Sequence, residues 1–321
     1  MPTSKFANEI TANSLDGSNY TVDRKFARAM IIAQPVNELE TKNIITVKET
    51  GPHTDKVVFT VIPEQSWIFR EVDARGSEVS STPSASYQAF TAPTFKEVQP
   101  TTKAAVIFLH DNINLADPVT FKEIAQTAGN QLKKQKITAA MTTASTVGNY
   151  TAGTSIFNAG GYTAKGTVAA DDTLVPNDLR ESKISLKTQT NYIDPDTCLL
   201  HTQQLNQIEN HADFSPGQLT NANFKKAVFD ENGKLVKFDG MEIIEVLQIP
   251  AQTTGDFTSV NGHMVVIGKK GLMIGRGENN RKNGVEDFRD PSMFGTKRVL
   301  KVNYDHEILY PDGIRLLQAA D

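Results

Sequence analysis

The chain has 321 residues and a formal net charge of −4; 39% of its residues are hydrophobic and 22% are charged. This composition is typical of a soluble globular protein of about two domains, and the acidic balance argues against a free-standing nucleic-acid binder. A single cysteine, Cys198, excludes an internal disulfide and argues against a cysteine-ligated metal cluster. The longest apolar run, Ala104–Leu109, is far shorter than the ~20 residues of a membrane span, and the N-terminus has no apolar core of the signal-peptide type.

The first 40 residues combine weak helical pieces with turn residues such as Asp16-Gly17-Ser18-Asn19. Phe6 and Phe26 are the large anchors of this segment. A segment with so little apolar surface to bury does not fold alone, so we expect an arm that becomes ordered against another surface.

Residues 44–110 contain β-branched and aromatic runs bounded by Gly, Pro and Asp, which predicts strands. The runs are NIITVKE, DKVVFTVI and AAVIFLH. Between the second and the third lies REVDARGSEVSSTPSASYQAFTAPTF, a stretch rich in Ser, Thr, Ala and Pro. A loop of this length is uncommon inside a compact domain, which indicates a functional or a disordered segment.

The strongest helix signal follows this strand-rich region. Asp117 is a suitable N-cap and Pro118 a suitable first-turn residue. Apolar or small residues recur with helical spacing from Phe121 to Ala139, and Gln, Lys and Glu fill the opposite face. The pattern extends to about Thr143, which predicts a helix of about 25 residues and ~40 Å.

Residues 171–250 alternate in type. NDLRESKISLKTQT and TQQLNQIENH predict helices, and DPDTCLLH between them predicts a turn and a short buried strand. Two further strands flank Asp239-Gly240, which is a hairpin-type turn. Near the end of the chain, the alternation of Leu300, Val302 and Tyr304 with polar residues predicts a half-buried strand.

The stretch GLMIGRGENNRKNG, residues 271–284, raises the question of a phosphate-binding loop. Arg276 stands where a Gly-Lys-Ser/Thr would have to begin, and Asn280 stands where a dinucleotide fingerprint needs its third glycine. We therefore predict no nucleotide site. We expect a turn at Lys269-Lys270-Gly271, a short strand at 272–274, and an exposed charged loop at 276–284.

The other candidate chemistry is weak. His201 and His211 lack a carboxylate at metal-site spacing, and we interpret them as solvated or capping residues. His306 beside Glu307 is expected to be a strand-surface contact, and Cys198 a buried structural thiol. The lysines at 133, 134 and 136 suggest a solvated basic face, with contact to DNA as a minor alternative. We predict no catalytic, cofactor-binding or metal-binding residues, and hence no enzyme.

The order of elements resembles the major capsid proteins of tailed double-stranded DNA viruses, which have the α+β Hong Kong 97-like fold. DPVTFKEIAQTAGNQLKKQKITAAM is similar to the spine helix of that family, and residues 51–97 are similar to its extended loop. DLRESKISLKTQTNYIDPDTCLLHTQQLNQIEN and GKLVKFDGMEIIEVLQIP are similar to successive parts of its axial domain. VVIGKKGLMIGRGENN and FGTKRVLKVNYDHEILYPDGIRLL are similar to its ending.

The resemblance implies a domain organisation. Its parts are an N-terminal arm (1–43), a peripheral-domain strand (44–56), the extended loop (57–96), a peripheral domain with the spine helix (97–170), an axial domain (171–295) and a C-terminal strand that returns to the peripheral domain (296–321).

The resemblance also implies a function. We expect a subunit that assembles through pentamers and hexamers into an icosahedral or prolate shell around packaged double-stranded DNA, which the acidic chain meets by proximity only. A separate scaffolding protein, a portal and a decoration protein are the expected partners, with assembly in the host cytoplasm and no membrane. An encapsulin-like compartment shell and an α+β enzyme or glycan-binding module are the alternatives.

The resemblance further implies where subunits meet. The expected interface residues are Phe6, Phe26, Trp67, Phe69, Arg70, Glu71, Asp73, Arg75, Glu78, Arg276, Arg281 and Lys282. Some members of the family join subunits by an isopeptide bond from a lysine of the extended loop. Positions 57–95 contain no lysine here, so we expect a non-covalent shell held by loop packing and by salt bridges from Arg70 and Arg75.

Overall fold

A computed structural model describes residues 38–51, 54–61, 93–110, 118–151, 154–189, 193–214, 224–258, 260–290 and 295–321. The α-helices of these ranges are α1 (Glu38–Thr41), α2 (Pro118–Ser145), α3 (Pro176–Thr188) and α4 (Thr202–Glu209). The strands are β1 (Ile45–Glu49), β2 (Val57–Val61), β3 (Thr94–Val98), β4 (Thr101–His110), β5 (Ile156–Asn158), β6 (Thr163–Ala164), β7 (Thr197–Leu200), β8 (Ala227–Phe229), β9 (Leu235–Phe238), β10 (Met241–Glu245), β11 (Ala251–Gln252), β12 (Gly262–Gly268), β13 (Ile274–Glu278), β14 (Gly284–Asp290), β15 (Gly295–Ile308) and β16 (Arg315–Ala320).

The strands form two sheets and a separate two-stranded ribbon. The large sheet has nine strands in the order β6-β5-β16-β12-β7-β10-β9-β8, with β11 beside β12. The small sheet has five strands, in which β15 pairs with β13 and β14 on one side and with β4 on the other, and β1 extends the sheet beyond β13. The ribbon is the antiparallel pair β2–β3.

The large sheet is covered on both faces, which explains why its central strands are continuously apolar. On one face, Leu199 and Val266 share a buried cluster with Met141 of α2. On the other face, Cys198 and Val265 share a cluster with residues of α3 and α4. Cys198 is fully buried, and burial raises the pKa of its thiol well above the ordinary value, as expected for a structural cysteine.

Helix α2 agrees with the sequence prediction at both ends to within two residues. Its last turn is closed by side chains that satisfy the carbonyls a helix end leaves free. The Tyr150 hydroxyl donates to the Ala144 carbonyl at 2.7 Å, and Asn149 donates to the Thr143 carbonyl at 2.8 Å. In the ranges that the structure describes, no helix is both long and apolar enough to cross a membrane.

The other predicted helices and the central strands also form at the expected places. The hairpin turn is confirmed, because Asp239 and Gly240 both have positive φ, at 48° and 83°, between the paired strands β9 and β10. Leu300, Val302 and Tyr304 lie on one buried face of β15, as their alternation predicts.

The end of the chain differs from the predicted single strand over 296–321. Strand β15 belongs to the small sheet, but the chain crosses after Ile308 and β16 enters the middle of the large sheet. Likewise β5 and β6, inside the predicted peripheral range 97–170, belong to the large sheet, and β13 and β14, inside the predicted axial range 171–295, belong to the small sheet. Local periodicity identifies strands but not the sheet in which each one pairs. The division into peripheral and axial domains remains a prediction.

A buried ionic network connects α2, α1 and the small sheet. Lys136 Nζ of α2 lies 2.7 Å from Glu278 Oε1 of β13, and both side chains are 11% exposed. Arg276, also on β13, lies 2.9 Å from the same oxygen through Nε and 2.7 Å from Glu40 Oε1 of α1 through a terminal nitrogen. The expected solvated position of Lys136 is therefore wrong, because its ammonium neutralises a buried carboxylate.

We predict that Glu278→Gln lowers the free energy of unfolding by about 3 kcal/mol, because it leaves the buried Lys136 without its counter-charge. Urea denaturation measures this difference. Glu286→Gln is the matched control, since Glu286 pairs with Lys301 at the surface and is 50% exposed. The control is expected to change stability by less than ~1 kcal/mol. Equal losses of unfolding free energy in both variants would show that the buried network stabilises the fold no more than a surface ion pair does.

Candidate subunit-contact surface

The β2–β3 ribbon has one face packed against its own subunit. Val57, Phe59 and Val61 alternate with exposed residues, and they form a buried cluster with Val98 and Leu309. Lys48 of β1 fixes the ribbon further, because its ammonium donates to the Val58 carbonyl at 3.2 Å and lies 4.9 Å from the centre of the Phe59 ring. The base of the predicted extended loop is therefore anchored on the small sheet.

The glycines of the 271–284 stretch make this packing possible. A Cβ atom at Gly275 would lie 3.1 Å from the Phe59 ring and 2.6 Å from Leu309, and one at Gly277 would lie 3.0 Å from Val98. Real Cβ atoms essentially never approach another atom as closely as the 2.6 Å to Leu309, and the other two distances are tighter than nine in ten real Cβ contacts. Gly275 and Gly277 thus leave room for the ribbon to lie on β13, which is the physical reason for the glycines in a stretch that resembles a phosphate loop.

The opposite face of the ribbon is apolar and exposed. The register pairs Val58 with Glu97 and Thr60 with Phe95, so Val58 and Phe95 lie on the same face. Val58 is 45% exposed and Phe95 is 62% exposed. We call this face, made of Val58, Thr60, Phe95 and Glu97, the outer ribbon face. Exposed apolar side chains grouped on one surface are a common sign of a contact with another molecule.

A charged turn lies next to the base of the ribbon. Lys282 Nζ is 2.8 Å from Asp55 Oδ1, and the Asn280 amide donates to Glu49 Oε1 at 2.6 Å. Arg281 and Lys282 are both exposed, as the sequence predicts for this part of the loop. The geometry therefore brings Lys282, and with it the turn that contains Arg281, to the base of the ribbon.

Arg276 does not belong to that exposed turn. It lies in β13, its side chain is 3% exposed, and its charge is matched inside the subunit by Glu40 and Glu278. The predicted strand at 272–274 and loop from 276 are wrong, because the strand runs from Ile274 to Glu278 and all five residues are buried. The two glycines and the two charged residues of this strand give it a low strand propensity and no apolar alternation, so the sequence rules do not predict it.

Most of the other expected interface residues lie outside the described ranges. These are Phe6, Phe26, Trp67, Phe69, Arg70, Glu71, Asp73, Arg75 and Glu78. The structure gives only the positions of the chain on either side of the loop: it leaves the ribbon after Val61 and returns at Thr94, and these two residues are paired.

The helix-facing side of the small sheet contains His306, which the sequence had suggested would lie at the strand surface. His306 is 6% exposed, and within the described residues neither of its ring nitrogens has a hydrogen-bond partner. The pKa of His306 is lowered to about 3. Burial is the largest cause, and the positive charges of Arg276, Lys103 and Lys136 also contribute. His306 is therefore neutral at physiological pH. Its burial follows from sharing the face of Tyr304, whereas Glu307 lies on the other face.

Comparison with known proteins identifies the fold. No family model and no curated protein matches the sequence. The structure is similar to the capsid protein of cyanophage Pam1, with a TM-score of 0.56, 12% identity and coverage of 86% of this chain and 88% of that one. It is similar to an encapsulin from Synechococcus elongatus, with a TM-score of 0.53, 11% identity and 89% of each chain covered. For the mature capsid of bacteriophage PhiM1 the TM-score is 0.52 at 11% identity, with 89% and 88% covered.

These similarities confirm the predicted fold class. The chain has the α+β Hong Kong 97-like fold that phage capsid proteins and encapsulins share. At this level of sequence identity the similarity establishes the fold and leaves the function to be argued.

We predict that wild-type protein loses stability as pH falls from about 6.5 towards 3, in part because His306 binds a proton in the unfolded chain but not in the folded one. The sign follows from a folded-state pKa below the unfolded value of about 6.5: the stabilisation is present above 6.5 and is lost below it. His306→Phe removes the titration and fills a similar volume, so it should reduce the acid-induced loss by up to about 4 kcal/mol. Urea denaturation of both proteins at pH 7, 5 and 4 measures the difference. Identical pH profiles would contradict the buried neutral state of His306.

Proposed function

We propose that this chain is a structural subunit that assembles with copies of itself into a closed shell. The observation that carries the proposal is the combination of the Hong Kong 97-like fold with an outer ribbon face on which the apolar side chains of Val58 and Phe95 are exposed within the described part of the subunit. The apolar side chains of Val58 and Phe95 are exposed to water, which does not stabilise the subunit. Burial against a second copy would stabilise the contact by about 25 cal/mol for each Å² of apolar surface covered. Many such contacts repeated by symmetry add through multivalency.

The shell proposed here is a viral capsid around double-stranded DNA, built from pentamers and hexamers, with the virion as its location. The net charge of −4 supports this, because a slightly acidic chain does not hold the packaged genome tightly. A separate scaffolding protein, a portal and a decoration protein remain proposed partners, as does assembly in the host cytoplasm. In this role the subunit has no enzymatic activity.

The proposed contacts extend the outer ribbon face. The arm that contains Phe6 and Phe26 would become ordered on neighbouring subunits, and so would the loop that contains Trp67 and Phe69. Arg70 and Arg75 would form charge-assisted hydrogen bonds with carboxylates of a neighbour. Glu71, Asp73 and Glu78 would offer the opposite charge, and Arg281 and Lys282 lie beside the ribbon base where an acidic partner segment can reach them.

An encapsulin-like compartment is the second candidate function, because the Synechococcus elongatus encapsulin is about as similar in structure as the phage capsids are. The two candidates differ in content: native particles with protected double-stranded DNA identify a capsid, and native particles that enclose protein cargo identify a compartment. A chain that stays monomeric under all conditions of co-expression with its genomic neighbours would contradict both, and would favour an enzyme or binding module.

We predict that Phe95→Asp folds normally but fails to assemble. Phe95 is 62% exposed in the subunit, so the substitution should change the free energy of unfolding by less than ~0.5 kcal/mol. At a contact between copies, the same substitution would bury an unpaired charge at a cost of several kcal/mol. Size-exclusion chromatography with negative-stain imaging separates subunits from capsomers and shells.

Phe95→Leu is the matched control for this experiment, since it preserves an apolar side chain at the same position. It is expected to assemble like the wild type. Normal shells from Phe95→Asp would place the outer ribbon face outside the subunit contacts.

We predict that the shell is held without covalent bonds between subunits. Along the sequence, the lysines nearest the loop are Lys56 and Lys96 at its base, and the Lys56 ammonium is already paired with Glu97 at 2.7 Å. Mature particles boiled in denaturing detergent should give one band at the chain mass of 35.2 kDa. A ladder of oligomers would contradict this and would identify a lysine outside positions 57–95 as the donor.

A further inference from the structure

Two histidines stack at the end of the large sheet that lies away from the small sheet. The chain leaves the large sheet for the small sheet after Gly268, the last residue of β12, and returns before Arg315, the first residue of β16. His263 lies near the opposite end of β12. The rings of His201 and His263 are parallel to within 4°, with their centres 3.9 Å apart. The sequence alone had suggested only a solvated or capping role for His201.

One carboxylate joins this pair to helix α4. His263 Nδ1 lies 2.7 Å from Asp321 Oδ1, and these side chains are 7% and 19% exposed. The Gln204 amide of α4 donates to the same oxygen at 3.0 Å, and the Gln207 amide donates to the Ala320 carbonyl at 2.7 Å. Helix α4 is therefore fastened to β12 and β16 through polar contacts that meet at Asp321.

His201 is the N-cap of the same helix. Its Nδ1 accepts a hydrogen bond from the Gln203 backbone N–H at 3.4 Å, which requires the nitrogen to be unprotonated. Protonation of His201 would thus remove the cap and place a positive charge against the parallel ring of His263. Both effects loosen the first turn of α4.

The other charged groups around the pair lie on neighbouring strands and loops. Glu245 of β10 accepts from the Thr202 hydroxyl at 2.5 Å and pairs with Lys234, so much of its charge is already matched. Burial lowers the pKa of His201, and the charge of His263 lowers it further, while Asp321 and Glu245 act in the opposite direction without reversing the shift. The folded state therefore keeps His201 neutral over a wider pH range than the unfolded chain does, and loses this advantage as pH falls below about 6.5.

We propose that His201, His263 and Asp321 form a pH-sensitive latch, which holds helix α4 on the large sheet at neutral pH and releases it in acid. A proton on His201 opens the latch because it breaks the cap and places a positive charge against the ring of His263, whose charge already acts against protonation of His201. The inference concerns the folded subunit and does not depend on the proposed shell function.

Hydrogen–deuterium exchange of the full chain tests this latch at α4. After correction for the intrinsic pH dependence of exchange, the protection of the Leu205 and Ile208 amides should fall about fivefold or more between pH 7.5 and 5, the loss expected when a helix loses its N-cap. His201→Asn preserves a good N-cap and removes the second imidazole, so its α4 should stay protected at pH 5. Unchanged protection in the wild type, or equal loss in His201→Asn, would overturn the proposal.

A matched control and a second measurement make the result specific. His211 also accepts a backbone hydrogen bond, from Asp213 N–H at 3.2 Å, and it is outside the stacked pair, so His211→Asn should open in acid like the wild type. Ring titration by NMR tests the latch without relying on any variant: the pKa of the His201 imidazole should lie below the ordinary histidine value of about 6.5. A measured pKa at or above that value would overturn the latch even if the His201→Asn variant were unstable.

Discussion

The ionic network around Glu278 is the interaction on which the arrangement of the fold depends. Helix α2 packs its C-terminal half on the large sheet through apolar contacts, and its Lys136 is tied to the small sheet through Glu278. Arg276 extends the network to Glu40 in α1, where the described chain begins. Buried charges tolerate little displacement because each must retain its partner. The network therefore fixes where the helix crosses the sheets and where the N-terminal segment joins the body of the subunit.

Strand β13 is consequently constrained on both faces. Its charged side chains point towards α2, and its glycines, Gly275 and Gly277, face the ribbon. The close approach that the glycines allow places Phe59 and Val98 in contact with the sheet and leaves Val58 and Phe95 on the outside. One short strand thus couples the position of the helix to the position of the surface that we propose for subunit contact.

Much of this fold could be predicted from the sequence, and the failures have physical reasons. The helix from Pro118 and the buried strand at Thr197–Leu200 follow local rules of capping and apolar patterning. Strand β13 was missed because its burial depends on tertiary partners: glycine and arginine are unusual in a buried strand unless a neighbour needs the space or a carboxylate matches the charge. The stacking of His201 on His263 joins residues far apart in the sequence, and no local pattern indicates it.

The central claim is that the outer ribbon face is a contact between copies of this chain. A cryo-EM reconstruction of assembled particles tests it most directly, because it shows what lies against that face in every subunit environment. The account predicts that a neighbouring copy covers Val58 and Phe95 and buries both side chains. A closed shell in which both remain exposed to solvent would contradict the account, even if the fold of each subunit were the one described.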